Sequence, residues 1–254
     1  MPLKCSGGFS LVELSMVLVI VTLLLGGMLM PLSAQIDLRR TAETRETLHE
    51  VRNALLGFAI ANGRLPCPAA TGATGIEAGG GAVACTGAAN GVADGFLPGA
   101  TLGLSPTDDQ GYLLDAWGNR IRYAVSVAPS AMPNAFTTSK GISNFWRANN
   151  TPPAADLQIC TNSASVVSPG TTKADCSASD ALSKGAVAVI YSIGKNAAKA
   201  GAGPDETANI DGDRVFVFHE ARPPGASGGE FDDLVVWLSA NILYNRMAAT
   251  GGLP

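Results

Sequence analysis

Residues 14–34 carry no charged side chain, and no other stretch constrains the fold as strongly. As an α-helix rising about 1.5 Å per residue, a run of that length spans about 30 Å, the apolar thickness of a bilayer. A short polar leader, residues 1–8, precedes it, and its one side-chain cation is Lys4. Glu13 breaks the pattern at the edge of the run. A carboxylate there is costly in lipid unless it finds a partner, which makes Glu13 a functional candidate. Pro31, shortly after Gly26-Gly27, suits a kink in the apolar helix.

Three readings of this end compete. It can be a secretory signal cleaved after Leu32-Ser33-Ala34, a plain membrane anchor, or a segment processed nearer its start. The third reading takes Gly7-Gly8-Phe9-Ser10-Leu11-Val12-Glu13-Leu14 as a unit, which resembles the processing site of type IV prepilins and type II secretion pseudopilins. The resemblance implies a cut between Gly8 and Phe9 by a prepilin peptidase and methylation of the new N-terminus at Phe9. Glu13 becomes the fifth residue of the mature chain. Its carboxylate then pairs with the Phe9 ammonium of a neighbouring subunit, two charges that are expensive alone and tolerable together in a low dielectric. A glutamate reaching the interfacial headgroups is the plainer alternative.

The resemblance also implies a layout. Residues 1–8 are the leader, 9–34 a transmembrane and assembly helix, 35–63 the head-packed half of the same helix, and 64–254 a globular periplasmic head. The implied fold is α+β and pilin-like, a long N-terminal α-helix with a small antiparallel β-sheet head, to which the residues of the carboxyl end add a C-terminal helix. The implied protein sits in the bacterial inner membrane by a single pass. Its partners are copies of itself, other pilin-like subunits, the prepilin peptidase and an inner-membrane assembly platform. Its expected role is a filament subunit for type II protein secretion, with a minor pilin of a type IV pilus (motility, adhesion or DNA uptake) as the alternative.

Past the apolar run, Leu48, Val51, Leu55 and Ala59 recur at three- and four-residue steps, a stripe facing a core. Asn62-Gly63 is a stop signal for that helix. Cys5 would leave with the leader, and Cys67, Cys85, Cys160 and Cys176 remain. Four cysteines allow three connectivities. The sequence-local pairing, Cys67 with Cys85 and Cys160 with Cys176, closes two loops rich in small residues, at about 3 kcal/mol each in the chain-entropy model. Without a CxxC pair, a zinc site is the weaker reading.

Alternation over residues 121–127 predicts a half-buried strand, and residues 186–191 and 215–218 are further strand candidates. Asp115-Ala116-Trp117-Gly118-Asn119, before the first of these, resembles a turn of the major pseudopilins, with Ala116 in place of proline, and is expected to build the fold. Asp205, Glu206, Asn209, Asp211 and Asp213 place five oxygen-bearing side chains at short spacing after a glycine-rich stretch. Hard oxygens so arranged suit calcium, although the spacing is not that of an EF-hand. The segment resembles the calcium loop of major pseudopilins, with Ile193 in place of leucine and Asn209-Ile210 in place of Asp-Ile. A turn whose carboxylates cap backbone groups is the alternative. At the carboxyl end, Leu234, Trp237, Leu238 and Leu243 can share one face, which predicts an amphipathic helix from about residue 230 to Met247.

Charge and composition narrow the function. Lys and Arg number 17 against 21 Asp and Glu, a net charge of −4, which opposes nucleic-acid binding. Histidines are few, His49 and His219, and no nucleophile elbow accompanies them. An enzyme is therefore not expected.

Overall fold

The computed structural model describes residues 8, 10–72, 74–127, 133–199 and 203–253, without the side chains of residues 25–32. Phe9, the expected first residue after processing, lies outside the described residues, as do Lys4, Cys5 and Gly7 and the side chain of Pro31. The chain divides into two compact units, residues 1–42 and 43–254.

Helix α1 (Leu11–Asn62) contributes to both units. In the first unit it opens with a reciprocal cap. The Ser10 N–H donates to Glu13 Oε2 at 3.1 Å, and the Glu13 N–H donates to Ser10 Oγ at 3.2 Å. This is the Ser-x-x-Glu capping box, which satisfies two amides that a helix start leaves without partners.

The second unit is built on a mixed sheet of six strands. Its members are β1 (Val92–Phe96), β2 (Arg122–Ser126), β3 (Leu157–Cys160), β6 (Ala181–Ser192), β7 (Val215–Val217) and β8 (Leu234–Ser239). A two-stranded ribbon of β4 (Val166–Val167) and β5 (Asp175–Cys176) stands apart. Short helices α2 (Gly99–Leu102), α3 (Gly141–Asn149), α4 (Pro204–Ile210) and α5 (Ala240–Ala249) punctuate the chain. The path runs β1-β2-β6-β3-β7, and β8 also pairs with β6. All pairings are antiparallel except β3 with β7. The residue 43–62 part of α1 buries Leu48, Val51, Leu55 and Ala59 completely. These share one core cluster with Tyr123, Val187 and Ile190 of the sheet and with Leu243, Tyr244 and Met247 of α5.

This architecture replaces the pilin-like expectation. The sheet is neither small nor purely antiparallel, because β7 adds to β3 in parallel. The residues of the long helix divide between two compact units, at Ala42 and Glu43. The expected C-terminal amphipathic helix is a strand, β8, followed by the short α5. Val235, Val236 and Trp237 favour a pleated surface, and Leu234 and Leu238 reach the core from the strand with a helix-like spacing.

The transmembrane helix and the single-pass inner-membrane placement are likewise corrected. Among the described residues, no helix is long and apolar enough to cross a membrane.

Disulfides join Cys67 to Cys85 and Cys160 to Cys176, across 18 and 16 residues. The first loop is tied down further. Glu77 accepts from the Arg64 guanidinium at 2.6 Å and from the Cys67 N–H at 3.1 Å. Both bridges fit an oxidising compartment.

The buried stripe gives a direct test. Leu55→Ala removes a fully buried side chain from the contact between α1 and the sheet and is expected to cost about 2–5 kcal/mol, read by denaturant unfolding. A loss near zero would mean the stripe does not carry the fold.

Candidate metal centre

Strand β6 ends at Ser192, and the chain turns sharply through Ile193-Gly194-Lys195-Asn196. Gly194 has φ +64°, and a Cβ there would lie 2.1 Å from Asp232 Oδ1. Glycine is thus required both for the left-handed backbone and for the space a carboxylate occupies. The turn is anchored from below by the 115–119 segment. Asp115 Oδ1 accepts the Trp117 and Asn119 N–H groups at 2.9 and 2.8 Å, and Asp115 Oδ2 accepts Ser192 Oγ–H at 2.6 Å. Asn119 Nδ2 donates to the Gly194 carbonyl at 2.8 Å.

Above this turn, Glu206 of α4 meets Asp232 and Asp233, which lead into β8. One oxygen from each of the three carboxylates lies within 4.8 Å of the others. Asp232 Oδ2 accepts the Lys195 and Asn196 N–H groups at 3.0 and 3.1 Å. Glu206 Oε1 accepts Asn196 Nδ2 at 2.9 Å and the Asp232 N–H at 3.1 Å. The second oxygens differ: among the described residues, buried Glu206 Oε2 and Asp232 Oδ1 meet no hydrogen-bond donor, and neither does Asn196 Oδ1. Buried acceptors without partners are rare in folded proteins and point to a missing counterpart.

The electrostatics agree. Burial pushes Asp233 up to about 8, with Glu206 and Asp232 adding repulsion against a hydrogen bond from Asn209. Burial pushes Asp232 up to about 6, helped by Glu206 and Glu230. The donor set fits a hard divalent cation. Two oxygens bound to one calcium at about 2.4 Å can be at most about 4.8 Å apart, and calcium takes six to eight oxygens. Glu206, Asp232, Asp233 and Asn196 would supply the protein's share.

The five residues singled out in sequence are dispersed by this geometry, and only Glu206 belongs to the triad. Asp205, its neighbour in α4, points elsewhere. It accepts the Ser163 N–H at 2.7 Å and pairs with His219 Nε2 at 3.0 Å and with the Arg222 guanidinium. Burial opposes its charge, but those partners outweigh it and hold its carboxyl below the usual range. Asn209 braces the site, donating to Asp233 Oδ2 at 2.8 Å and accepting the Val217 N–H at 2.7 Å. Asp211 accepts the Asp213 N–H, and Asp213 accepts the Val215 and Gly170 N–H groups, so both organise backbone. In sequence Asp232 and Asp233 read as the amino terminus of a helix and Asn196 as part of a turn, so none of them joins the 205–213 cluster. Their one signal was Asp-Asp directly before a β-branched, aromatic run.

Glu13, in the first unit, caps its own helix through Ser10 as described above, and Gly8 is exposed. No family model matches the chain, and neither a curated protein nor a solved structure is similar to it.

The triad predicts a pH dependence with a definite sign. Asp232 and Asp233 hold their protons more tightly folded than unfolded, so without a cation stability falls as pH rises from about 4 through 8. Calcium at a hundred times its Kd is expected to raise Tm by about 5–10 °C, more at pH 8 than at pH 5 because protons compete for the same oxygens. Asp233→Asn is expected to reduce that rise. Calorimetry at the two pH values checks both, and a calcium-independent Tm at pH 8 would rule the cation out.

Proposed function

We propose that the chain is a non-catalytic, filament-forming subunit. It is processed between Gly8 and Phe9 by a prepilin-type peptidase and assembles through the apolar start of α1 for type II protein secretion. The observation that carries this reading is the apolar surface of residues 11–24. Leu11 is 87% exposed, Leu23 71%, and Val12, Met16 and Leu24 each about two thirds. A helix apolar around its whole girth needs a cover. A neighbouring copy of the same helix offers one, with Glu13 standing at its open end to meet an ammonium.

Two further features support a structural role. His219 is tied into the head, with Nε2 against Asp205 and Nδ1 against the Glu220 carbonyl at 2.6 Å. Calcium at Glu206, Asp232, Asp233 and Asn196 would act as a brace. It would clamp the 193–196 turn, α4 and the entry to β8 rather than a substrate.

The capping box makes the assembly step separable from helix stability. Glutamine at position 13 still accepts the Ser10 N–H but carries no charge. Glu13→Gln is therefore expected to leave the chain folded and cleaved, and to cut its incorporation into filaments as deeply as Glu13→Ala. Normal incorporation of Glu13→Gln would reduce Glu13 to a helix cap. Mass spectrometry of the mature chain should find methylated Phe9 at its start, and any other N-terminus overturns the reading.

A further inference from the structure

A groove of about 510 Å³ lies between the 43–62 part of α1 and β8. Its floor includes Leu234, Val235, Val236 and Trp237 in succession. Successive strand residues point to opposite faces, and here Leu234 packs into one core cluster while Val235 and Trp237 pack with the other. A single cavity touched by both sets must follow the edge of the strand. That edge is open: β8 pairs with β6, and among the described residues no strand pairs with its other side. An unpaired strand edge is a template for another extended chain.

The two walls differ in chemistry. Arg45, His49 and Arg52 stand on one side of α1, at spacings that bring them onto one helical face. Among the described residues neither arginine has an ion-pair partner, and Arg52 Nε is buried with no acceptor. Glu220 is the one carboxylate among the groove's lining residues. The opposite wall is aromatic. Phe218 and Trp237 meet edge to face at 5.6 Å between ring centres, and Phe218 is 36% exposed.

We propose that this groove binds an extended acidic peptide of a partner protein, added as a strand along the open edge of β8. Its alternate side chains are carboxylates facing Arg45 and Arg52 and apolar groups facing Phe218 and Trp237. Main-chain hydrogen bonds supply affinity, and the two unlike walls supply the alternating pattern that the peptide must match.

Two labelled heptapeptides test this on the full chain, one alternating valine with glutamate and one alternating valine with lysine. Fluorescence anisotropy should show the glutamate peptide binding about ten-fold or more tightly, a difference of about 1.4 kcal/mol or more. Hydrogen exchange at residues 234–239 should slow when it binds. Arg45→Gln/Arg52→Gln should abolish the preference, with circular dichroism confirming an intact fold. Equal binding of the two peptides, or binding that leaves exchange in β8 unchanged, overturns the proposal. Self-association of the free chain that the double variant removes would assign the groove to a second copy and also overturn it.

Discussion

The hydrogen-bond ladder of β6 is the constraint on which the second unit depends. One strand of 12 residues pairs with β2, β3 and β8. Its buried half, from Ala186 to Ser192, sets the register of the sheet that the α1 stripe covers. The end of the same strand carries the 193–196 turn. The geometry of the acidic triad is therefore inherited from the sheet, with Asp115 as the fastening between Ser192 and the 117–119 amides.

The triad stands out against the rest of the buried polar groups. Asp94 is answered by Arg122, Glu77 by Arg64 and Asp205 by Arg222 and His219. Glu206, Asp232 and Asp233 accept backbone and side-chain amides and lie close together. Like charges gathered in a poorly solvated place raise one another's proton affinity. A divalent ion seated among the three carboxylates would compete with the proton for those oxygens.

Local periodicity was legible in the sequence, and long-range assembly was not. The stripe of Leu48, Val51, Leu55 and Ala59 announces its buried face because the helical period lies within a dozen residues. The alternation before Val127 likewise announces β2. The 234–243 segment misled because Leu234, Leu238 and Leu243 fit a helical face while also serving a strand and the helix after it. The carboxylates at 205–213 misled for a steric reason. Adjacent residues of α4 diverge by about 100° around the helix, so Asp205 and Glu206 enter different networks. Ser10 and Glu13 held a readable signature, a capping box, that a reading based on charge alone passes over.

The order of the chain imposes an order of maturation. Leu48, Val51 and Leu55 emerge well before Leu238, Leu243, Tyr244 and Met247 of the same core cluster. Ribosomal delivery therefore leaves the α1 stripe without these partners until the α5 segment has appeared. Closure across so large a separation is slow and exposes apolar surface to aggregation. A chain cut before Leu243 would lack Leu243, Tyr244 and Met247, and with them part of the cluster that holds the α1 stripe.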